Sequence, residues 1–313
     1  METREELQEL LLNPLKLKPE ENLQKYILKD KKLHLDATRL SDFSNCERSF
    51  FLRHILGLVG KHSMPAPSFG SVIHEFLAEY YKGSPEDKCW EVLEEAFIKF
   101  ETSDISTVLY SQSTARAIIQ DYLEYYKKDK DFEILQIEVA FDDIDIYTSE
   151  ELKKDSTIFP VVLAGRMDIL GKYQRQNIVS VIDHKTTKNV GDTYIEQFRL
   201  RWQTAFYIIA AIAYYGECAG FVSNTIGVAK HKRTYLRYQT KMPEYHLIAV
   251  IAWVKLWGKR IKNAIDTNIF LPNYSHCHVY GACPYISLCS SPLKHWKGLI
   301  TTNYDSKLWD PSD

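Results

Sequence analysis

A chain of 313 residues with 45% apolar and 13% aromatic content can bury one large core, or a core with a helical lobe, and is not disordered. A net charge of −2 excludes a protein that coats nucleic acid through bulk positive charge. No apolar run reaches membrane-spanning length, and Met1-Glu-Thr-Arg-Glu-Glu-Leu7 is too charged for a signal peptide.

In chain order, residues 1–36 read as a helical extension. Ser41-Asp-Phe-Ser-Asn-Cys46-Glu-Arg-Ser-Phe-Phe-Leu-Arg53 then reads as an amphipathic helix that carries a cysteine. Pro65-Ala-Pro-Ser-Phe-Gly70 supplies breakers and a cap for a helix over 66–82, with Val72, Phe76 and Ala78 near one apolar face. His74 on that helix is either a core imidazole or a ligand. Glu86–Phe100 and Ser113–Lys130 predict two amphipathic helices that form an insert. Phe132-Glu-Ile-Leu-Gln-Ile-Glu138-Val-Ala-Phe141 alternates as a strand and opens the core sheet, with Glu138 reading as an edge-strand surface acid.

Two strands follow, at 160–170 and 177–185, joined by the short polar Gly171-Lys-Tyr-Gln-Arg-Gln176. They carry Gly165-Arg-Met-Asp168 and Asp183-His-Lys185. An antiparallel hairpin can hold Asp168 and Asp183 a few ångströms apart, with Lys185 on the face of Asp183 because side chains alternate with period two. Two carboxylates and an ammonium suit a hard divalent cation and an activated water, which is phosphodiester-cleaving chemistry. The same residues also suit a solvated turn.

A helix from about Tyr194 to Tyr215 places Arg199, Gln203 and Tyr207 at i, i+4 and i+8, one polar stripe on an apolar element. After a strand at 221–230 comes the basic run Lys230-His-Lys-Arg233-Thr-Tyr235-Leu-Arg237, which suits phosphate contacts with base stacking or a solvated hairpin equally. Together with Lys188 and Arg199 it forms the candidate DNA-binding set: Arg199, Lys188, Lys230, Arg233 and Tyr235. A long helix over 243–266 leads to Cys277-x5-Cys283-x5-Cys289 in turn-rich sequence. Thiolates so close together point to an iron–sulphur cluster or a zinc ion, with Cys46 as a fourth sulphur and His276 or His278 as alternatives. Cys89 and Cys218 read as ordinary buried cysteines.

Asp, a hairpin, then Asp-x-Lys resembles the signature of the PD-(D/E)XK nuclease superfamily. Gly165-Arg-Met-Asp-Ile169 and Ile182-Asp-His-Lys-Thr-Thr187 resemble its RecB-type branch, as do the His74 helix and Gln203-x-x-x-Tyr207. The resemblance spans roughly Ser41 to Cys289. It implies an α/β restriction-endonuclease-like core, a mixed central sheet flanked by helices, with a helical insert and a C-terminal cysteine-bound cluster region. The implied domains are an extension at 1–36, a nuclease domain at 37–270 with its insert at about 86–130, and a cluster region at 271–313 closing on Cys46. By the same resemblance Asp168, Asp183, Lys185, Gln203 and Tyr207 would be catalytic and Glu138 auxiliary. Mg²⁺ or Mn²⁺ would be held by His74, Asp168, Asp183 and the carbonyl of His184. Cys46, Cys277, Cys283 and Cys289 would hold a [4Fe-4S] cluster, although the spacing of five residues between Cys277 and Cys283 departs from the family's two and keeps zinc open.

The implied activity is that of a metal-dependent DNA exonuclease, acting on single strands or ends in recombination, repair or CRISPR-type adaptation. The expected setting is the cytoplasm of a bacterial, archaeal or phage-infected cell, away from membranes, with a helicase, recombinase or integrase as partner. The other readings are a catalytically weak DNA-binding subunit of a helicase or integrase complex, and a zinc-binding interaction module.

Overall fold

The computed structural model describes residues 18–61, 65–101, 110–127, 131–229, 233–279 and 281–307. In chain order these form α1 (Pro19–Asn22), β1 (Leu33–Leu35), α2 (Ala37–Asn45), α3 (Glu47–Phe50), β2 (Leu58–Gly60), α4 (Pro65–Tyr81), α5 (Glu86–Glu101) and α6 (Gln112–Tyr125). Then come β3 (Phe132–Asp145), α7 (Ser149–Lys154), β4 (Val161–Tyr173), β5 (Ser180–Thr187), α8 (Asp192–Glu196) and α9 (Trp202–Tyr215). The chain ends with β6 (Gly220–Gly227), β7 (Tyr235–Thr240), α10 (Glu244–Thr267), α11 (Ile286–Cys289), α12 (Trp296–Asn303) and β8 (Tyr304–Ser306). The fold is mixed α/β, a central mixed sheet flanked by helices, as the resemblance implied. No helix among the described residues is long and apolar enough to cross a membrane.

The chain divides into two compact units, Met1–Lys61 with Phe141–Gly165 and Ile248–Asp313, and His62–Ala140 with Arg166–Leu247. In the first unit, β1 runs parallel to the opening residues of β4, Leu33 beside Val161, and β2 pairs antiparallel with β8. Gly258 lets α10 lie close to these strands, since a Cβ there would meet Val161 Cγ2 at 2.7 Å. Asp36 caps α2 by accepting from the N–H groups of Thr38 at 2.7 Å and Arg39 at 3.0 Å. Its other oxygen stands 3.1 Å from Arg39 Nε, and both side chains are at most 3% exposed.

In the second unit, the later part of β4 pairs antiparallel with β5, β5 runs parallel to β6, and β6 turns back antiparallel into β7. The β4–β5 turn is tight because Gln174 and Arg175 both adopt positive φ, 50° and 60°. The two amphipathic helices expected over 86–130 form as α5 and α6: their buried apolar residues, among them Leu93, Phe97, Ile118 and Tyr122, share one core with Phe69, Ile73 and Phe76 of α4. Gly220 is required at the start of β6: its φ is 136°, and a Cβ would lie 2.5 Å from the Thr240 carbonyl oxygen.

Four expectations need correction. Residues 1–36 are not wholly helical, because Leu33-His-Leu35 forms β1. Cys46 lies at a break between two helices, with φ −163° and ψ 109°, and not within one helix. The single helix over 194–215 is three pieces: α8, a tight turn at Gln197–Leu200, and α9 after an extended Arg201. Phe198 is wholly buried against Phe221 while Leu200 is 78% exposed, so the apolar periodicity does not run through. The strand at 221–230 ends at Gly227, and the basic run ends inside a further strand, Tyr235–Thr240.

Candidate active site

Strand β5 carries the site because its alternate side chains serve two helices. Asp183 and Lys185 project toward α9, where Lys185 Nζ donates to Gln203 Oε1 at 3.0 Å. His184 and Thr186 project toward α4, where Thr186 Oγ1 lies 2.7 Å from the Cβ position of Gly70. Asp168 and Asp183 flank the first paired rung of the hairpin, Ile169 beside Ile182. Asp183 is buried, and the Asp168 side chain is 15% exposed, which leaves the pair open on one side.

Asp168 gathers donors on a single oxygen. Its Oδ2 accepts from the His184 backbone N–H at 2.7 Å and lies 3.3 Å from His74 Nδ1. Burial alone would favour the neutral acid, but His74, His184 and Lys185 together outweigh it and hold Asp168 well below the usual carboxylate range. Asp183 goes the other way. Burial first, and then the Asp168 charge, push it up to about 6 against the attraction of Lys185, with which it is ion-paired. Burial would lower His74, but Asp168 and then Asp183 raise it on balance. Burial pushes His184 down to about 3, so its imidazole is neutral at physiological pH.

Gln203 is aimed by a chain of hydrogen bonds whose direction is fixed from its far end. The Arg166 carbonyl only accepts, so Tyr207 donates to it and presents its oxygen to Gln203 Nε2, 3.0 Å away. Gln203 Oε1 must therefore face Lys185. Glu138 stands 3.8 Å from Arg166 Nη1, with its acidity lowered by burial and then by the Asp168 charge. It adopts φ 52°, a left-handed residue inside β3 that breaks the strand's alternation.

The structure brings together His74, Asp168, Asp183, Lys185, Gln203 and Tyr207, the six residues expected at the site. Arg199 does not join them: it is exposed and paired with Glu196 at 2.9 Å, because the chain breaks before α9. Lys188 lies with Nζ 5.0 Å from the Tyr110 ring centroid. Arg233 and Tyr235 tie β7 to α6, through Asp121 and the Ala117 carbonyl for Arg233 and the Ile118 carbonyl for Tyr235. Lys230 lies outside the described residues. Sequence reasoning missed Arg166, Tyr81, Asn224 and Arg237. The signal for Asn224 was the polar trio Ser223-Asn-Thr225 inside an apolar strand, all three residues fully buried.

Among the described residues no three His, Cys, Asp or Glu side chains converge closely enough to hold a metal ion by themselves. Two hard carboxylates crowded beside one ammonium nevertheless fit Mg²⁺ or Mn²⁺, which take one or two protein carboxylates and fill the remaining positions with water and substrate phosphate. Cys46, Cys277 and Cys283 line one recess with Asp42, Asn273 and His276. Cys289 lies within electrostatic reach of all three, and burial above all pushes its thiol up to about 11. All four are free thiols.

Asp183 carries a pH prediction. Its folded pKa, about 6, exceeds the ordinary carboxylate value near 3.8, so the folded protein holds that proton more tightly than the unfolded chain. The associated stability is complete below about pH 3.8 and is lost as pH rises through about 6. In chelator, Asp183→Asn is expected to stabilise the fold at pH 7.5 by on the order of 2 kcal/mol, read as a higher melting temperature, with the gain fading below pH 4. A gain that is the same at both pH values would contradict this.

No curated protein matches the chain. Among solved structures, a protein from Eubacterium rectale carrying a provisional exonuclease label aligns at 14% identity and TM-score 0.48, over 79% of this chain and 85% of its own. The structure of SSO0001 aligns at 14% identity and TM-score 0.27, over 80% of this chain and 85% of its own. The sequence pattern of one family matches residues 34–290, a span that includes every residue placed at the site above. The chain belongs to the PD-(D/E)XK nuclease superfamily.

Proposed function

We propose that the protein is a Mg²⁺- or Mn²⁺-dependent deoxyribonuclease of the RecB type, working as an exonuclease on single-stranded or frayed DNA ends. The observation that carries this reading is the arrangement on β5: Asp183 and Lys185 in one ion pair, Lys185 aimed by Gln203, and Asp168 ionised beside them. Asp168 and Asp183 would hold the cation, with His74 and the His184 carbonyl beside them. When bound, the cation would lower the pKa of water and offset charge on the scissile phosphate.

The chain's own groups have separate tasks. Lys185 Nζ, fixed between Asp183 and Gln203, donates to the attacking water and holds it in line with the phosphorus. Gln203 acts through Lys185, and Tyr207 acts through Gln203, because it donates to the Arg166 carbonyl and accepts from the Gln203 amide. Glu138 stands at the rim, where it accepts a proton from the attacking water or, once protonated, gives one to the departing oxygen. The products would be a 5′-phosphate and a 3′-hydroxyl. We further propose that Cys46, Cys277, Cys283 and Cys289 bind a [4Fe-4S] cluster, which would fasten the α2–α3 break to the C-terminal segment. Brown colour and bound iron and sulphide in protein purified without oxygen would support the cluster, and zinc alone would replace it.

The test is degradation of end-labelled single- and double-stranded DNA with Mg²⁺ or Mn²⁺. Lys185→Ala is expected to lower the rate by roughly 10²–10⁴-fold, and chelator is expected to abolish cleavage. A folded protein that binds DNA but cleaves nothing with either metal points instead to the accessory-subunit reading.

A further inference from the structure

Asn224 is fully buried and lies beside His184 in the parallel pairing of β6 with β5. Its Oδ1 accepts from Arg237 Nε at 3.3 Å, while Nδ2 donates to the Tyr122 hydroxyl at 2.8 Å and meets His184 Nδ1 at 2.7 Å. The donor inventory fixes each direction. A guanidinium only donates, so the amide oxygen must face Arg237. The amide nitrogen then faces His184, and because it too only donates, His184 Nδ1 must accept. The imidazole proton therefore sits on Nε2.

Arg237 is itself immobilised. Its guanidinium lies between the Tyr126 and Phe132 rings, 3.7 and 3.9 Å from their centroids, with Nη1 3.4 Å from Asp131. The Tyr81 hydroxyl meets that of Tyr122 at 2.6 Å, and the Tyr81 ring stacks on the His184 imidazole at 5.4 Å and 14°. The His184 ring is thus held at its edge by Asn224 and on its face by Tyr81. Its peptide N–H is the group that donates to Asp168 Oδ2. Because the imidazole projects away from Asp183 and Lys185, anchoring it fixes the strand between them without filling the site.

We propose that Arg237 and Asn224 are positioning residues for the Asp168–Asp183 centre: they lock His184 in its Nε2–H form and, through that residue's peptide N–H, hold the Asp168 carboxylate in place. The proposal rests on the reading of these carboxylates as a cation centre. Groups one step removed from a metal commonly alter its affinity by about 10–100-fold.

Asn224→Asp separates this role from simple packing. The replacement is nearly isosteric and still accepts from Arg237, but it cannot donate, so His184 Nδ1 must become the donor. Ring ¹⁵N NMR of His184 reads the tautomer, and calorimetric titration with Mn²⁺ in the absence of DNA reads the centre. The expected result is Nε2–H in the wild type, Nδ1–H in the variant, and Mn²⁺ affinity weakened about tenfold. An added negative charge alone would tighten Mn²⁺ binding, so weakening cannot be a charge effect. Should Asn224→Asp fail to fold by circular dichroism, Arg237→Met releases the amide to turn over, and mixed tautomers with weakened Mn²⁺ binding are expected. A wild type with Nδ1–H, or a folded variant that binds Mn²⁺ as well as the wild type, overturns the proposal alone. A wild type that binds no Mn²⁺ overturns the cation-centre reading and this proposal with it.

Discussion

Asp168→Ala is expected to lower DNA cleavage by roughly 10³-fold or more, a barrier rise of about 4 kcal/mol or greater. Asp168 is the one carboxylate of the pair that its neighbours hold firmly ionised, whereas Asp183 shares its charge with Lys185. Removing it would take away a hard oxygen from the proposed cation centre, and it leaves the His184 N–H without its acceptor, which adds about 1–3 kcal/mol of structural cost. Asp168→Asn separates these effects, because an amide oxygen still accepts from His184 while the charge is gone. Single-turnover cleavage of both variants, with folding followed by circular dichroism, should show similar losses of activity but less destabilisation in the asparagine form. Cleavage by Asp168→Asn within about tenfold of the wild type would place the cation elsewhere.

The largest stability loss is expected at Asp36→Ala, about 3–5 kcal/mol by urea unfolding. Asp36 does two jobs from a position that is 2% exposed. It caps α2 through the Thr38 and Arg39 N–H groups, and it neutralises the Arg39 guanidinium, which is 1% exposed. Truncation removes the cap and takes the counter-charge from the buried Arg39 guanidinium, which keeps its bond to the His34 carbonyl, and the second effect dominates. The double variant Asp36→Ala with Arg39→Met should recover much of the loss, because no charge then remains to be buried. If the double variant is as unstable as the single one, the cost lies in the cap alone.

The hairpin of the candidate site was legible because its signals are local. Two apolar strands, a short polar turn and period-two alternation place Asp168, Asp183 and Lys185 with no knowledge of the rest of the chain. Gln203 and Tyr207 were legible for the same reason, being four residues apart on one helix. Arg199 was misplaced because 3.6-residue spacing was carried across Arg201, where the backbone becomes extended and the face is lost. β1 was missed because three residues give too little alternation to register, and they become a strand only on pairing with Val161–Leu163. Asn224 and Arg237 depend on lateral pairing of β5 with β6 and of β6 with β7, contacts made across a crossover helix and a turn. Such partners are set by topology, and one-dimensional spacing does not encode them.

The alternation along β5 has a consequence for how freely this chain can vary. Most sheet strands keep one side on which substitutions are nearly neutral, so sequence can drift there without harm. From Asp183 to Thr186 there is no such side: odd positions face Lys185's partners on α9, and even positions face α4 and the tyrosine cluster. A replacement that changes side-chain size within that tetrapeptide meets one helix or the other. The turn at Gln174–Arg175, six or more residues from either aspartate along the chain, is the part of this hairpin where a change of length would leave the paired rungs in register.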